Sequence, residues 1–159
     1  MMTIAIASDH AGYILKETLK AYLQHKGYSV TDFGTDSESP VDYPDVILPA
    51  AQSVASGNHA LGMVLGGSGN GEAMTANKVR GIRCALCWNR KSARLAKTHN
   101  NANMLALGAR MMSESTAKAI VDEWLNAEFQ GGRHTARVQK LDRLGPASGA
   151  GILHKSNNS

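Results

Sequence analysis

The sequence predicts an α/β fold, a doubly wound three-layer sandwich built on a five-stranded parallel sheet with an extra C-terminal helix. Two observations predict it: short runs rich in aliphatic and β-branched residues recur five times, and stretches with a helical period lie between them. A third supports it. Two of the runs lead into polar or glycine-rich turns, and open α/β sheets bind ligands beyond the carboxyl ends of their strands.

The apolar runs are Thr3 to Ala7, Ser29 to Phe33, Ala60 to Leu65, Ile82 to Cys87 and Asn103 to Leu107. After the first run, Ile14, Leu15, Leu19, Tyr22 and Leu23 fall on one helical face, and Gly27 stands where that helix would end. A further helix is expected over Ala73 to Val79. Another follows Ser113, a cap type, with Ala117, Ile120, Val121, Trp124 and Leu125 on its buried face. The final helix is expected from about Arg133 to Leu144. Analogy with flavodoxin-like sheets gives the strand order 2-1-3-4-5. One domain is expected over 1–144, and Gly145 to Ser159, small and polar with little periodicity, reads as a mobile tail without catalytic duty.

Composition narrows the function. The chain has 159 residues, 43% hydrophobic and 19% charged, which suits one soluble domain with a real core. Its net charge of +4 is spread along the chain without a basic run, which fits an anionic metabolite better than nucleic acid. No apolar stretch approaches the roughly 18 residues of a membrane span, and the start carries no secretory pattern, so a cytoplasmic protein is expected. Cys84 and Cys87 form a C-x-x-C only by count. Three apart on a strand, they point to opposite faces and read as core thiols rather than a metal or disulfide pair.

The chemistry is expected in Ser8-Asp9-His10-Ala11-Gly12 and in Gly66-Gly67-Ser68-Gly69-Asn70-Gly71-Glu72. A glycine-rich strand-to-helix turn presents backbone N–H groups and a positive helix end to an anion. That anion can be a phosphate or the oxyanion formed when a proton leaves a carbon next to a carbonyl. The loop lacks the Lys-Ser/Thr ending of a P-loop and the G-x-G-x-x-G spacing, which disfavours a nucleotide. Glu72 then has two readings, an acidic residue at a helix start or a base beside an oxyanion hole, and the two are compatible.

His99 and Asn100 precede the fifth strand, at the opposite edge of the sheet from Glu72. A five-residue strand spans roughly 17 Å, so His99 can share a site with Glu72 only if a second subunit delivers it. Local pairing of a helix-terminal histidine is the plainer reading. Arg110 follows the fifth strand, and Arg133 and Arg137, four apart, share one helical face that suits either solvent or a phosphate.

Taken together, these segments resemble the ribose-5-phosphate isomerase B family, which also includes the galactose-6-phosphate isomerase subunits. The resemblance runs from about Ile4 to Leu144. It passes through Ser8-Asp9-His10-Ala11-Gly12, Asp42-Tyr43-Pro44-Asp45, Gly67-Ser68-Gly69-Asn70-Gly71, Ala76-Asn77-Lys78, His99-Asn100, Leu107-Gly108-Ala109-Arg110 and Gly132-Arg133-His134. Each piece is weak alone, and their joint occurrence in this order is strong.

The resemblance implies a Rossmann-like isomerase without metal or nucleotide cofactor, a homodimer or dimer of dimers whose site is shared between subunits. It implies ribose 5-phosphate and ribulose 5-phosphate as substrates. Carried over, His99 looks like the acid that helps open the sugar ring, with Asp9 close to the hydroxyls. Glu72 looks like the base that moves a proton between C2 and C1 through a cis-enediolate, which Ser68 and the N–H groups of Gly67, Gly69, Asn70 and Gly71 would hold. Asn100 would contact the sugar, and His10, Arg110, Arg133 and Arg137 the phosphate end. Many members carry a catalytic cysteine where this chain has Gly66, and Gly66 with Glu72 looks like the branch that uses a glutamate. Glutamate, oxyanion donors and histidine make coherent isomerase chemistry. Two other readings stand beside this one: an isomerase for allose or galactose 6-phosphate, and a non-catalytic module that binds a nucleotide or phosphometabolite.

Overall fold

Alternation of branched apolar residues with helical stretches resolves, in a computed structural model that describes residues 1–145, into five strands and six helices. In chain order they are β1 Thr3–Ser8, α1 Tyr13–His25, β2 Ser29–Asp32, α2 Tyr43–Ala55, β3 Leu61–Gly66, α3 Asn70–Ala76, β4 Cys84–Leu86, α4 Arg90–Asn100, β5 Met104–Gly108, α5 Glu114–Asn126 and α6 Arg133–Asp142. Every strand pair is parallel. The expected tail lies, from residue 146 onward, outside the described residues.

The sheet order is β2-β1-β3-β5-β4, which corrects the expected 2-1-3-4-5. The reason lies in the two strands themselves. All five residues of β5 are buried, whereas β4 has three residues and only Cys84 is buried. A strand apolar on both faces gains most between two neighbours, and a short strand is the safer edge. The outer side of β4 is closed by a side chain that mimics a strand: Asn77 Nδ2 donates to the Cys84 carbonyl at 2.9 Å and its Oδ1 accepts from the Cys84 N–H at 2.8 Å. The same two bonds end α3 at Ala76, three residues short of the expected Val79.

Strand alternation sends Ile4, Ile6, Met63, Leu65, Leu105 and Leu107 to one side, against α1, α4 and α5. Ala5, Ala7, Val64, Met104 and Ala106 go to the other, against α2 and α3. Cys84 and Cys87 fall in these two different cores, both as free thiols, as their spacing requires. Trp124 is fully buried, and Ser113 caps α5 by accepting from the Thr116 N–H. Helix α2 tolerates Pro49 because that residue sits on its exposed side, and Pro44 occupies the first turn, where a missing N–H costs nothing. Among the described residues, no helix is long and apolar enough to cross a membrane.

Replacing Asn77 by Ala removes both bonds to Cys84 and should cost about 2 kcal/mol. Urea denaturation should show a lower midpoint at unchanged slope. An unchanged midpoint would mean that β4 holds its place without the amide.

Candidate active site

Parallel strands end at one edge, and three of their extensions meet there. The β3–β5 ladder continues past both strands, with the Ala109 N–H donating to the Gly66 carbonyl at 2.8 Å and the Arg110 N–H to Gly67 at 3.0 Å. The turn after β1 is drawn in from the other side: the Asp9 N–H donates to the Leu65 carbonyl at 3.2 Å, and Asp9 Oδ1 accepts from the Gly12 N–H at 3.0 Å. Asp9, the Gly67–Gly71 loop, Glu72 and Arg110 are thereby gathered around the end of β3.

Glycine is needed here for close approach. A Cβ on Gly12 would lie 2.8 Å from the Leu65 carbonyl, and one on Gly108 would lie 2.5 Å from the Ser68 oxygen. Gly69 turns left-handed, with φ +82°, to launch α3 one turn earlier than expected. Among the described residues, nothing accepts from the backbone N–H groups of Gly67, Ser68 and Gly69. Ser68 Oγ takes the Asn70 N–H at 3.3 Å and its side-chain amide at 3.2 Å, which holds the loop open at its exposed corner. Helix α3 has only 7 residues, so the loop N–H groups rather than a long dipole give this edge its affinity for an anion.

Glu72 lies in the first turn of α3 and is 3% exposed. Its carboxylate occupies the space directly above the Gly66 Cα: a Cβ built on Gly66 would fall on Glu72 Cδ and both oxygens. Gly66 is thus the cavity into which Glu72 folds back. Burial, reinforced by the adjacent Asp9 carboxylate, pushes Glu72 up to about 7. A carboxyl at that value exchanges protons readily at neutral pH, which suits a general base.

Arg110 and His10 follow β5 and β1 at this same edge. The Arg110 side chain lies over Gly67: a Cβ on Gly67 would stand 3.4 Å from its Nη1 and 3.5 Å from its Cδ. His10 Nδ1 accepts from the Val41 N–H at 3.2 Å, so the ring is fixed with Nε2 carrying its proton. Tyr43, from Asp42-Tyr43-Pro44-Asp45, lies against the loop: a Cβ on Gly71 would meet its ring at 2.5 to 2.9 Å. Only contact through space reveals it, because Tyr43 opens α2, far along the chain from Gly71.

The remaining candidates sit elsewhere. His99 and Asn100 end α4 at the other edge of the sheet, as their place before β5 requires. His99 stacks on His134 of α6, with centroids 4.3 Å apart and planes at 14°. Burial, then His99, Arg133 and Arg137, lowers the His134 pKa. Arg133 and Arg137 are exposed on α6, near enough to His134 to act on its charge. The structure therefore divides the candidates into two sets: Asp9, His10, the loop, Glu72 and Arg110 at one edge, and His99, Asn100, Arg133 and Arg137 at the opposite one. Among the described residues, no cluster of three His, Cys, Asp or Glu side chains could hold a metal ion.

Gly66→Ala should expel the Glu72 carboxylate from its seat and lower turnover by about a hundredfold while the fold, checked by circular dichroism, persists. A fully active Gly66→Ala protein would show that Glu72 works from another position. If Glu72 is the base, the pH profile of kcat/KM should carry an acid limb near 7, because a base acts as the carboxylate and is protonated as pH falls through its pKa. An activity flat from pH 8 down to 5 would remove Glu72 as base.

Comparison with known proteins gives this geometry a family. A model described as Ribose/Galactose Isomerase matches residues 4–141. The D-erythrulose-4-phosphate isomerase of Pectobacterium atrosepticum is 45% identical over 143 residues, covering 89% of this chain and 93% of that protein. Ribose-5-phosphate isomerase B of Escherichia coli is 42% identical over 91% of this chain and 97% of its own length. Among solved structures, ribose-5-phosphate isomerase B of Clostridium thermocellum matches with a TM-score of 0.88 at 50% identity, over 89% of this chain and 95% of that one. The Mycoplasma genitalium enzyme, solved with ribulose 5-phosphate bound, matches at 0.86 and 40% identity over the same shares. With its sheet, its glycine-rich loop and nearly its whole described length accounted for by one family, this chain is an isomerase belonging to the ribose/galactose isomerase family.

Proposed function

We propose that the protein interconverts D-ribose 5-phosphate and D-ribulose 5-phosphate, and that Glu72 is its base. The observation that carries this reading is the buried Glu72 carboxylate, brought to about 7 and seated over Gly66, in a loop whose Gly67, Ser68 and Gly69 N–H groups have no acceptor among the described residues. The route runs as follows. An acid, His99 of a second copy, protonates the ring oxygen while Asp9 takes the proton of the C1 hydroxyl, and the sugar opens to its aldehyde. Glu72 then removes the proton from C2, and the electron pair moves into a C1–C2 double bond as the carbonyl oxygen becomes an oxyanion. The N–H groups of Gly67, Ser68 and Gly69 stabilise that oxyanion, with Asn70 and Gly71 shaping the loop around it. Glu72 returns the proton to C1 while the C2 hydroxyl passes its proton to the C1 oxyanion, which leaves a ketone at C2 and a hydroxyl at C1.

The split of the candidates between two sheet edges supports a homodimer, alone or paired into a dimer of dimers, in which one copy supplies Asp9, His10, the loop, Glu72 and Arg110. The other copy supplies His99, Asn100, Arg133 and Arg137. The phosphate is gripped by arginine forks with His10 Nε2–H beside them.

A shorter substrate is the second reading, favoured by the 45% identity to a D-erythrulose-4-phosphate isomerase. It keeps the chemistry and draws the phosphate closer to the loop. Six-carbon phosphates would lengthen the same pocket. The non-catalytic nucleotide module is disfavoured by Asp32. An acid at the end of the second strand is where a dinucleotide ribose would be held. Here Asp32 is already engaged by Lys16, Lys20 and the Gly34 N–H.

Proton NMR of ribose 5-phosphate in D₂O, with EDTA-treated wild type and Glu72→Gln, tests the proposal. Ribulose 5-phosphate should form with deuterium entering at the shuttled carbon, and the mutant should lose this. Turnover of D-erythrulose 4-phosphate in preference would select the four-carbon reading. A folded wild type that turns over neither, nor a six-carbon phosphate, would leave the binding module.

A further inference from the structure

Arg83 lies just before β4, outside every residue placed at the site above, and its side chain is 13% exposed. Its guanidinium serves two helices at once. Nε donates to the carbonyls of Asn100 at 3.1 Å and Asn101 at 3.2 Å, and Nη2 donates to Asn101 at 3.0 Å. Nη1 pairs with Asp142 at 2.6 Å. Asn100 ends α4, and Asp142 ends α6.

The last carbonyls of a helix have no intrahelical donor, and Asn101 turns left-handed there, with φ +46°, which directs its oxygen outward. A planar fork of donors can meet two such carbonyls and a carboxylate together, as an ammonium cannot. The base of the arrangement is also fixed, because the Arg83 N–H donates to Asn103 Oδ1 at 2.8 Å while Asn103 Nδ2 donates to the Gly81 carbonyl at 2.8 Å. The two helices touch again at the His99–His134 stack, near the start of α6. Two ties, one at each end of α6, prevent it from pivoting on α4.

We propose that Arg83 is a positioning residue that sets the distance between His99 and Asn100 on α4 and Arg133 and Arg137 on α6. The proposal rests on the isomerase reading given above. A sugar phosphate has its ring oxygen and its phosphate at a set separation, so the acid and the arginines must be held at the matching one. Small displacements of such groups are felt in rate rather than in fold. Arg83 touches no substrate in this arrangement and acts through the two helix ends.

Asp142→Asn weakens only the α6 arm, whereas Arg83→Ala releases both. Steady-state kinetics on ribose 5-phosphate should show KM raised about tenfold in Asp142→Asn with kcat within about twofold, and both parameters worsened about tenfold in Arg83→Ala. Arg83→Lys keeps the charge without the fork and should resemble Arg83→Ala. Hydrogen–deuterium exchange supplies a readout independent of turnover: it should rise at the ends of both α4 and α6 in Arg83→Ala, and at α6 alone in Asp142→Asn. Unchanged exchange at the end of α4 in Arg83→Ala, or kinetics in both variants within twofold of wild type, would overturn the proposal. If Arg83→Ala fails to fold, Asp142→Asn decides, and an unmoved KM with unmoved α6 exchange overturns it. Absence of turnover by wild type would sink the isomerase reading, and the exchange pattern would still judge the tether.

Discussion

The site hangs on the parallel pairing of β3 with β5 and on its continuation beyond the strand ends. Gly66 and Gly67 accept from Ala109 and Arg110, so the glycine-rich loop and the turn bearing Arg110 leave the sheet as one hydrogen-bonded unit. That unit is anchored in the driest part of the molecule, since every residue of both strands is buried. Loops carry chemistry well when a rigid scaffold holds their roots. Here the roots are the two strands best protected from water.

Close packing at this edge creates the electrostatics as well as the geometry. Gly66 has no side chain, Glu72 fills the space, and the carboxyl is thereby removed from water while Asp9 stands beside it. Desolvation alone would leave an inert buried acid. The N–H groups of Gly67, Ser68 and Gly69, which have no acceptor among the described residues, supply the complementary feature in the proposed chemistry, fixed dipoles for a developing negative charge. The proposed base and oxyanion donors thus arise from seven consecutive residues, and Gly66 makes room for the Glu72 carboxylate.

The opposite edge follows a different rule. There the acid candidate and the arginines stand on helices α4 and α6, which meet the sheet less intimately. Their mutual placement depends on side-chain ties: the stack of His99 on His134 and the bonds from Arg83 to both helix ends. Backbone pairing makes one half of the proposed site rigid, and a few polar side chains do so for the other. The two halves face away from each other within one chain, which is why the proposed chemistry needs a second copy.

Hydrophobic periodicity and turn composition were enough to determine the parallel α/β class, the buried face of α5, the Ser113 cap and the two turns that meet beyond β1 and β3, whereas on α1 the structure exposes Ile14, expected on the buried face, and buries Lys16 instead. These are local properties, written in residues a few positions apart. The opposition of Glu72 and His99 was legible too, because strand polarity in a parallel sheet assigns each connection to an edge. Tertiary structure alone decided that β5 lies inside β4, since strand order depends on competition for burial between segments distant in sequence. It alone set the Glu72 carboxylate over Gly66, laid Tyr43 against Gly71 and turned Asn77 and Arg83 into ties, because each is a contact across folded elements that no spacing along the chain encodes.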